Sequence, residues 1–259
     1  MTATAKPARF STLSPFQQFR RALYHDTLRR LGVRSYVVGA QGARFRVDTA
    51  DYIDRCLALF GIWDEAQLNR LAALAGAQKF DALLDIGANT GFYSVMFATK
   101  TLCPRILAFE PDPGNYARLL ANLRLNDLAD RVEAIAVALG DRAGAAKLYQ
   151  GHKGNLGEST IAVPEQTPQD ITHVVRIARF DDLYALAGQS LIVKIDVEGF
   201  EFEVLAGMER TLRDNACYVQ LEHYGERFAE LQAIFSRLGY RFLDTYDIDH
   251  YFTNLPGIG

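Results

Sequence analysis

Acidic side chains recur in this 259-residue sequence where short apolar runs end. Asp85 precedes a glycine-rich turn, Gly87-Ala-Asn-Thr-Gly91, and Glu110 closes the next apolar run. Glycine lets a backbone turn sharply and approach a ligand closely, and Asn89 tolerates a left-handed backbone better than most residues. A carboxylate at the end of a second strand is well placed to accept two ribose hydroxyl groups. The pattern therefore predicts a nucleoside-binding site.

The spacing of the turn argues against a dinucleotide. A dinucleotide-binding turn follows G-x-G-x-x-G, whereas here Phe92 stands in place of the last glycine. A NAD-type oxidoreductase is therefore a disfavoured alternative. S-adenosylmethionine fits better, because it carries adenosine, no phosphate and a cationic sulfonium with an amino-acid tail. Asp112 follows Glu110 at the position expected near the adenine edge.

A second group of charged residues follows two later apolar runs. Lys194, Asp196 and Glu198 alternate with apolar residues, and Glu222-His223 ends the next run. Because side chains alternate along a strand, the first three begin on one face. Ligands of open α/β sheets bind outside the carboxyl ends of the strands. Charged residues at four such ends therefore predict one convergent site.

The chemistry expected there is an in-line displacement at a sulfonium methyl group, helped by positioning and by a base for an alcohol. The candidate base or orienting residues are Asp196, Glu198, Glu222 and His223. A histidine at a strand end is also a common structural hydrogen-bonding group, and Glu222 could instead pair with Lys194. The same four residues suit a hard cation such as Mg²⁺, but nothing in their spacing requires it. We therefore predict no metal among the site's ligands, with a divalent metal kept as a disfavoured alternative.

From residue 80 onward, short strands alternate with helical periods, which is typical of a parallel sheet covered by helices on both faces. Strands are predicted at Ala82–Gly87, Arg105–Glu110, Val132–Leu139, Leu191–Asp196 and Ala216–Glu222, with a closing hairpin of Tyr240–Leu243 and Tyr251–Asn254. Helices are predicted at Phe92–Lys100, Pro113–Asn126, Phe200–Arg213 and Glu226–Leu238.

The alternation lapses between Gly140 and Asp182. Two short strands are predicted there, at Ala145–Tyr149 and His173–Ile177. The long segment between them, Gly151–Gln169, is expected to be functional or disordered. It offers candidate acceptor contacts at His152, Asn155, Ser159 and Thr160.

The chain is predicted to have three parts: a flexible arm (1–18), a helical and hairpin cap (19–62) and a main domain (63–259) with its core at about 80–243. The cap is predicted to contain a helix at Phe19–Leu31, a hairpin of Tyr36–Val38 and Arg44–Val47, and a helix at Asp51–Phe60. A further helix begins at Asp64-Glu65. The first helix is expected to pack either on the core or on a second subunit.

Several motifs together resemble the FkbM-type methyltransferases, within the class I S-adenosylmethionine-dependent superfamily. The motifs are Leu84-Asp-Ile-Gly-Ala-Asn-Thr-Gly-Phe-Tyr93, Phe109-Glu-Pro-Asp112, Ala138-Leu-Gly-Asp141, Phe180-Asp-Asp-Leu183 and Val193-Lys-Ile-Asp-Val-Glu-Gly-Phe-Glu201. The resemblance implies a Rossmann-like, doubly wound, mostly parallel seven-stranded sheet. It also implies O-methylation of a hydroxyl group on a sugar, polyketide or related natural product.

The resemblance also implies roles for individual residues. It assigns Asp85, Gly87, Asn89 and Gly91 to the methionine end of the donor and Glu110 to its ribose. The predicted donor-binding set is completed by Ala88, Phe92, Tyr93, Pro111, Asp112, Ala138 and Asp196. N-methylation of an amine and a non-catalytic S-adenosylmethionine-binding protein remain alternatives.

Composition limits the partners and the compartment. The formal net charge is −3, which argues against nucleic-acid binding through bulk positive charge. No apolar stretch approaches the roughly 18 residues of a membrane helix, and the N-terminus lacks a signal-peptide core. The three cysteines show no metal or disulfide spacing, which fits a reducing cytoplasm. We therefore expect a cytoplasmic enzyme with a hydroxyl-bearing small-molecule acceptor, without a nucleic-acid or membrane partner.

Overall fold

The computed structural model describes residues 10–149, 161 and 171–258. The helices are α1 (Pro15–Arg30), α2 (Tyr52–Phe60), α3 (Glu65–Ala77), α4 (Phe92–Thr99), α5 (Pro113–Leu125), α6 (Phe180–Leu183), α7 (Glu201–Gly207), α8 (Glu209–Asp214) and α9 (Phe228–Arg237). The strands are β1 (Ser35–Ala40), β2 (Ala43–Asp48), β3 (Ala82–Ile86), β4 (Arg105–Phe109), β5 (Val132–Ile135), β6 (Ala138–Leu139), β7 (Gly144–Tyr149), β8 (Ile171–Ala178), β9 (Ser190–Ile195), β10 (Ala216–Glu222), β11 (Arg241–Tyr246) and β12 (Asp249–Thr253).

A seven-stranded sheet forms the centre, in the order β11-β12-β10-β9-β3-β4-β5. Only β12 runs against the other strands of this sheet. Two apolar layers cover its faces, one built with α3, α4 and α5 and the other with α7, α8 and α9. Because both faces are covered, the central strands are apolar almost throughout, as a buried parallel sheet requires. The predicted mostly parallel, doubly wound sheet is confirmed.

The predicted strand Val132–Leu139 is wrong as a single strand. Its first half, β5, pairs with β4 at the edge of the main sheet, whereas β6 pairs with β8. The predicted strands at Ala145–Tyr149 and His173–Ile177 exist as β7 and β8, and with β6 they form a separate three-stranded sheet. The change of partner between β5 and β6 leads the chain out of the central sheet.

The predicted helix Phe200–Arg213 is two short helices, α7 and α8, that meet at Met208. The carboxylate of Asp181 accepts hydrogen bonds from the backbone N–H groups of Arg210 and Thr211. These two N–H groups lie in the first turn of α8. Because they donate to the Asp181 carboxylate, they do not extend the backbone hydrogen-bond ladder of α7, and the helix is interrupted there.

The N-terminal elements are close to those predicted. The hairpin is β1 and β2, and Asp51 caps α2 by accepting from the N–H of Asp54. The first helix begins at Pro15, four residues before its predicted start, because Ser14 and Gln17 form a capping box. Phe10 is buried, and its backbone N–H donates to Asn69. None of the helices in the described ranges is both long and apolar enough to cross a bilayer.

Candidate active site

A cavity lies at the carboxyl ends of β3, β4 and β9, where ligands of open α/β sheets bind. The cavity is partly open to solvent, and the empty space there, counted with its open mouth, is about 610 Å³. The residues that line it are Gly87, Asn89, Phe109, Glu110, Pro111, Asn115, Val137, Ala138, Leu139, Leu148, Ile161, Asp196, Val197, Glu198 and Phe200. Seven members of the predicted site therefore share one cavity: Gly87, Asn89, Glu110, Pro111, Ala138, Asp196 and Glu198.

The glycine turn is held between the ends of two neighbouring strands. The N–H groups of Gly87 and Ala88 both donate to the carbonyl oxygen of Phe109. Gly87 and Asn89 adopt left-handed backbone conformations, with φ of 79° and 51°. A Cβ atom at Gly87 would lie 1.7 Å from the carbonyl oxygen of Asp196. Glycine is therefore required there by both conformation and space.

We expect Gly87→Ala to weaken donor binding and to lower stability by at least about 2 kcal/mol more than Gly188→Ala. Gly188 is the matched control, because its φ is also positive (68°) but no atom lies within 4 Å of an added Cβ. Donor affinity and thermal unfolding of both variants check this. Equal loss of stability in the two, with normal donor binding by Gly87→Ala, would contradict it.

Glu110 is buried at the end of β4 and anchors both loops of the cavity. One carboxylate oxygen accepts from the N–H of Asn89 (2.7 Å) and the other from the N–H of Asp112 (2.8 Å). Burial raises the pKa of Glu110 to about 8, although these two hydrogen bonds oppose the shift. Each oxygen of a carboxylate can accept more than one hydrogen bond. The carboxylate can therefore hold the loops and still receive ribose hydroxyl groups.

Asp85 ties the strand to the following helix. Its Oδ2 atom accepts hydrogen bonds from the backbone N–H (3.1 Å) and hydroxyl (2.6 Å) of Ser94. Its Oδ1 atom is buried and makes no hydrogen bond to the described residues. Burial raises the pKa of Asp85, and the nearby Lys194 ammonium opposes that shift. Asp85 thus orders the turn and leaves one acceptor oxygen unengaged.

Lys194 is the buried positive charge beside this acid. Its Nζ atom lies 2.9 Å from Oδ2 of Asp196 and 4.9 Å from the ring centroid of Tyr93. Burial lowers the pKa of Lys194, but the carboxylates of Asp196 and Asp85 outweigh it and raise the pKa overall. Lys194 therefore stays charged and pairs with Asp196. Glu222, the predicted alternative partner, accepts instead from the hydroxyl of Tyr224.

Carboxylates outnumber this lysine around the strand ends. Burial raises the pKa of Asp64 to about 7 and that of Glu222 to about 8, and the charge of Asp196 adds to both shifts. Asp249 also lies within the electrostatic reach of Lys194 and Asp196. Asp85, Asp196 and these three acids thus surround a single lysine. Such an excess of negative charge suits a cationic ligand.

Two members of this acidic group, Asp64 and Asp249, were not predicted from the sequence. Asp64 stands at the position before α3, where a helix-capping role would be expected, but its side chain makes no capping bond. It accepts instead from the hydroxyl of Tyr93. Asp249 accepts from the side chains of Gln220 and Gln67. Neither position carries a sequence signal beyond that of an ordinary loop or helix end.

The three carboxylates predicted at the later strand ends do converge. Asp196, Glu198 and Glu222 each offer an oxygen, and these oxygens lie within 4.8 Å of one another. Glu198 reaches this place with a left-handed backbone (φ 52°), followed by Gly199 (φ 94°). The arrangement can accept a proton or bind a hard cation.

His223 is placed on the other face of the central sheet. Its Nδ1 atom lies 3.0 Å from Oε2 of Glu201, and its ring packs edge-on against Phe202. The other oxygen of Glu201 accepts from the N–H of Gly199. The structure therefore does not bring His223 into the cavity. Instead, hydrogen bonds through Glu201 connect His223 to the loop that carries Asp196 and Glu198.

We expect Glu201→Leu to lower stability by about 3 kcal/mol, because the buried His223 ring and the N–H of Gly199 both lose their partner. Glu201→Gln is the control, since its amide oxygen still accepts from Gly199. Chemical denaturation of both variants provides the measurement. If the leucine variant is as stable as the glutamine variant, Glu201 does not hold this loop.

Four of the remaining predicted donor-binding residues have roles in packing or in helix capping. Phe92 and Tyr93 are buried in the first turn of α4. Gly91 precedes that helix, and a Cβ there would lie 2.3 Å from Leu119. Asp112 caps α5 by accepting from two backbone N–H groups. The loop candidates are His152, Asn155, Ser159 and Thr160, and they lie outside the described residues.

Several apolar lining residues carried no chemical signal in the sequence. Val137 and Leu139 continue the wall begun by Phe109, and Leu148 of β7 lines the same cavity. The small three-stranded sheet thus contributes to the cavity through β6 and β7. An apolar wall beside Glu110 suits the flat face of an adenine ring.

Comparison with known proteins decides the family. A family model described as "Methyltransferase FkbM domain" matches residues 85–242, more than half of the chain. The chain belongs to the FkbM methyltransferase family. The predicted methyltransferase is thereby confirmed. The matched region begins at Asp85 and extends past the acidic strand ends to β11.

Named relatives are similar to this chain at modest identity. The hexuronic acid methyltransferase AglP of Haloferax volcanii is 28% identical over 186 residues, covering 68% of either chain. The 31-O-demethyl-FK506 methyltransferase FkbM of Streptomyces tacrolimicus is 29% identical over 157 residues, which is 50% of this chain and 60% of that protein. The crystal structure of methyltransferase FkbM from Methylobacillus flagellatus KT is 21% identical, with a TM-score of 0.48, over 67% of this chain and 43% of that one.

Proposed function

We propose that this FkbM-family enzyme transfers a methyl group from S-adenosylmethionine to a hydroxyl group of a small molecule, namely a sugar, a polyketide or a related natural product. The observation that carries the proposal is the shared cavity, with Glu110 at one strand end and Asp196 beside Glu198 at another. The names of two relatives, a hexuronic acid methyltransferase and an O-demethyl-FK506 methyltransferase, support the choice of acceptor.

The residues present suit the donor in three ways. Glu110 offers acceptor oxygens to a ribose, and the apolar wall of Phe109, Val137 and Leu139 suits adenine. The free oxygen of Asp85 and the acidic excess around Lys194 suit an ammonium group and a sulfonium. When bound, the donor supplies an electrophilic methyl group on a positively charged sulfur.

The role proposed for Asp196 is to orient the acceptor hydroxyl and to take its proton as the oxygen becomes methylated. Lys194 holds one carboxylate oxygen of Asp196, which leaves the other oxygen for the acceptor. Glu198 and Glu222 converge on the same place and share the positioning of the acceptor. Much of the rate is then expected to come from holding the two substrates in contact.

The proposed acceptor is a small molecule rather than a nucleic acid, because the acidic strand ends would repel phosphates. Cytoplasmic location is proposed on a separate ground: all three cysteines are unpaired and buried. Metal-independent transfer is also part of the proposal, and added chelator is expected to leave turnover unchanged.

The proposal is tested by incubating the purified protein with S-adenosylmethionine and matched acceptors that carry either a hydroxyl or an amine at the same carbon. We expect S-adenosylhomocysteine to form and the hydroxyl compounds to gain one methylene in mass. If only the amines are methylated, the enzyme is an N-methyltransferase and not an O-methyltransferase. Donor binding without product on any acceptor would favour a non-catalytic binding protein.

We expect S-adenosylmethionine affinity to increase between about pH 6 and about pH 9. Burial raises the pKa of Asp64 to about 7 and that of Glu222 to about 8, so these two acids of the group around Lys194 are partly protonated near neutrality and must ionise to meet a cation. Binding therefore releases protons. Calorimetry in buffers of different ionisation enthalpy measures that release. The uncharged sulfur of S-adenosylhomocysteine is expected to give a shallower pH dependence, and equal slopes would contradict the explanation.

A further inference from the structure

Helix α1 is fastened to the rest of the molecule along one side. Arg21 donates to the backbone carbonyl oxygens of Ala58 (3.2 Å) and Gly39 (2.5 Å). His25 is buried, with Nδ1 at 2.9 Å from the hydroxyl of Tyr36. These contacts set the rotation of the helix about its axis, and with it the side chains that face outward.

The outward side of α1 is apolar and basic. We call it the α1 stripe, and its apolar and basic members are Phe16, Phe19, Arg20, Leu23, Arg30 and, at the C-cap, Leu31, with the exposed Thr27 between them. Their spacing of three, four and seven residues places them on one side of a helix. The four apolar members are 63% to 73% exposed. The guanidinium of Arg20 lies 5.9 Å from the ring centroid of Phe16, which confirms that the two share this side.

An exposed apolar stripe of this size needs a partner, since a helix facing only water normally presents polar residues there. We propose that the α1 stripe docks on the surface of an anionic lipid bilayer, with α1 lying in the plane of the membrane. Aromatic residues and leucines would enter the boundary between headgroups and acyl chains, and Arg20 and Arg30 would meet anionic headgroups. This proposal departs from the expectation of no membrane partner, which depended on the lack of a long apolar stretch, because a helix lying in the membrane plane need not span it.

Charge selects the bilayer over the other candidate partners. Helix α1 carries four arginines and one acid, Asp26, which borders the α1 stripe beside Arg30, so pairing the stripe with that of a second copy would bring together two surfaces of net positive charge. A nucleic acid would pair with the arginines but would leave four apolar side chains in contact with a polyanion. An anionic bilayer provides negative headgroups and an apolar interior within one surface.

Vesicle flotation with the full-length protein tests the proposal. Wild type is expected to float with mixed phosphatidylglycerol–phosphatidylcholine vesicles and to bind pure phosphatidylcholine at least about tenfold less. Phe16→Gln/Phe19→Gln/Leu23→Gln should reduce the bound fraction at least about tenfold, since glutamine keeps the helix propensity and removes the apolar contact. Val174→Gln/Tyr246→Gln is the control, because these exposed apolar residues lie elsewhere.

A second variant separates docking from folding. Arg20→Glu/Arg30→Glu keeps every apolar residue and should also lose binding to the anionic vesicles, whereas Arg142→Glu/Arg213→Glu, at exposed arginines off α1, should not. Unchanged melting temperatures would show that these variants are folded. Failure of wild type to float, or equal binding by the stripe and control variants, would overturn the proposal. Light scattering that shows a dimer abolished by the stripe variants would overturn it in favour of self-association. All of these readouts are independent of methyl transfer.

Discussion

Asp196→Asn is expected to lower kcat by about 100- to 10,000-fold, the range for loss of a positioned general base. The asparagine keeps the shape of the side chain but no longer accepts a proton. Donor affinity should change by no more than about tenfold, because Glu110 and Asp85 remain in place. Lys194 also stays compensated, since Asp85 and Glu222 remain near it. Single-turnover kinetics and donor titration together separate the two effects.

Asp182→Asn provides the matched control for that substitution. Asp182 is exposed and lies outside the cavity, next to Arg179. It should leave kcat unchanged. If Asp196→Asn retains full turnover at normal donor affinity, Asp196 neither accepts the proton nor orients the acceptor.

Glu110→Ala should weaken binding of S-adenosylmethionine and S-adenosylhomocysteine alike, by about 100-fold or more. A hydrogen bond to a charged group contributes about 1.5–3 kcal/mol, and the variant loses the ribose acceptor together with the partners of two backbone N–H groups. Because neither loss involves the sulfur, the two compounds should be affected equally. Isothermal titration provides both affinities.

Glu110→Gln is the graded control for this position. Its amide oxygen replaces one of the two acceptors, so a loss of about tenfold is expected. Glu133→Gln, at an exposed position on β5, should have no effect on either ligand. An alanine variant that binds the donor as well as wild type would exclude Glu110 from the ribose site.

The sequence was most informative where the same local pattern, an apolar run that ends in an acid, recurred along the chain. Apolar runs that each end in an acid predicted both the central strands and the edge where their side chains meet, since parallel strands share their carboxyl ends. For this reason the sequence alone places Glu110, Asp196, Glu198 and the glycine turn near one another. The glycine requirement at Gly87 followed the same logic, although the approach of the Asp196 carbonyl could not be foreseen.

The sequence was least informative where the outcome depends on how distant elements pack. Asp64 and Asp249 enter the acidic group only because α3 and β12 pack next to β10, and no local pattern encodes that proximity. His223 follows Glu222 directly, yet alternation along the strand sends the two side chains to opposite faces. Strands β5 and β6 lie in one apolar run of the sequence but pair in different sheets, and this difference too is decided by tertiary packing.

Titration of the folded protein with S-adenosylmethionine and S-adenosylhomocysteine tests most directly whether this cavity holds the donor. We expect saturable one-to-one binding of both compounds in wild type, with proton release that is larger for the sulfonium compound, and strongly reduced binding in Glu110→Ala. A folded wild-type protein that binds neither compound would contradict the assignment of the cavity as the donor site.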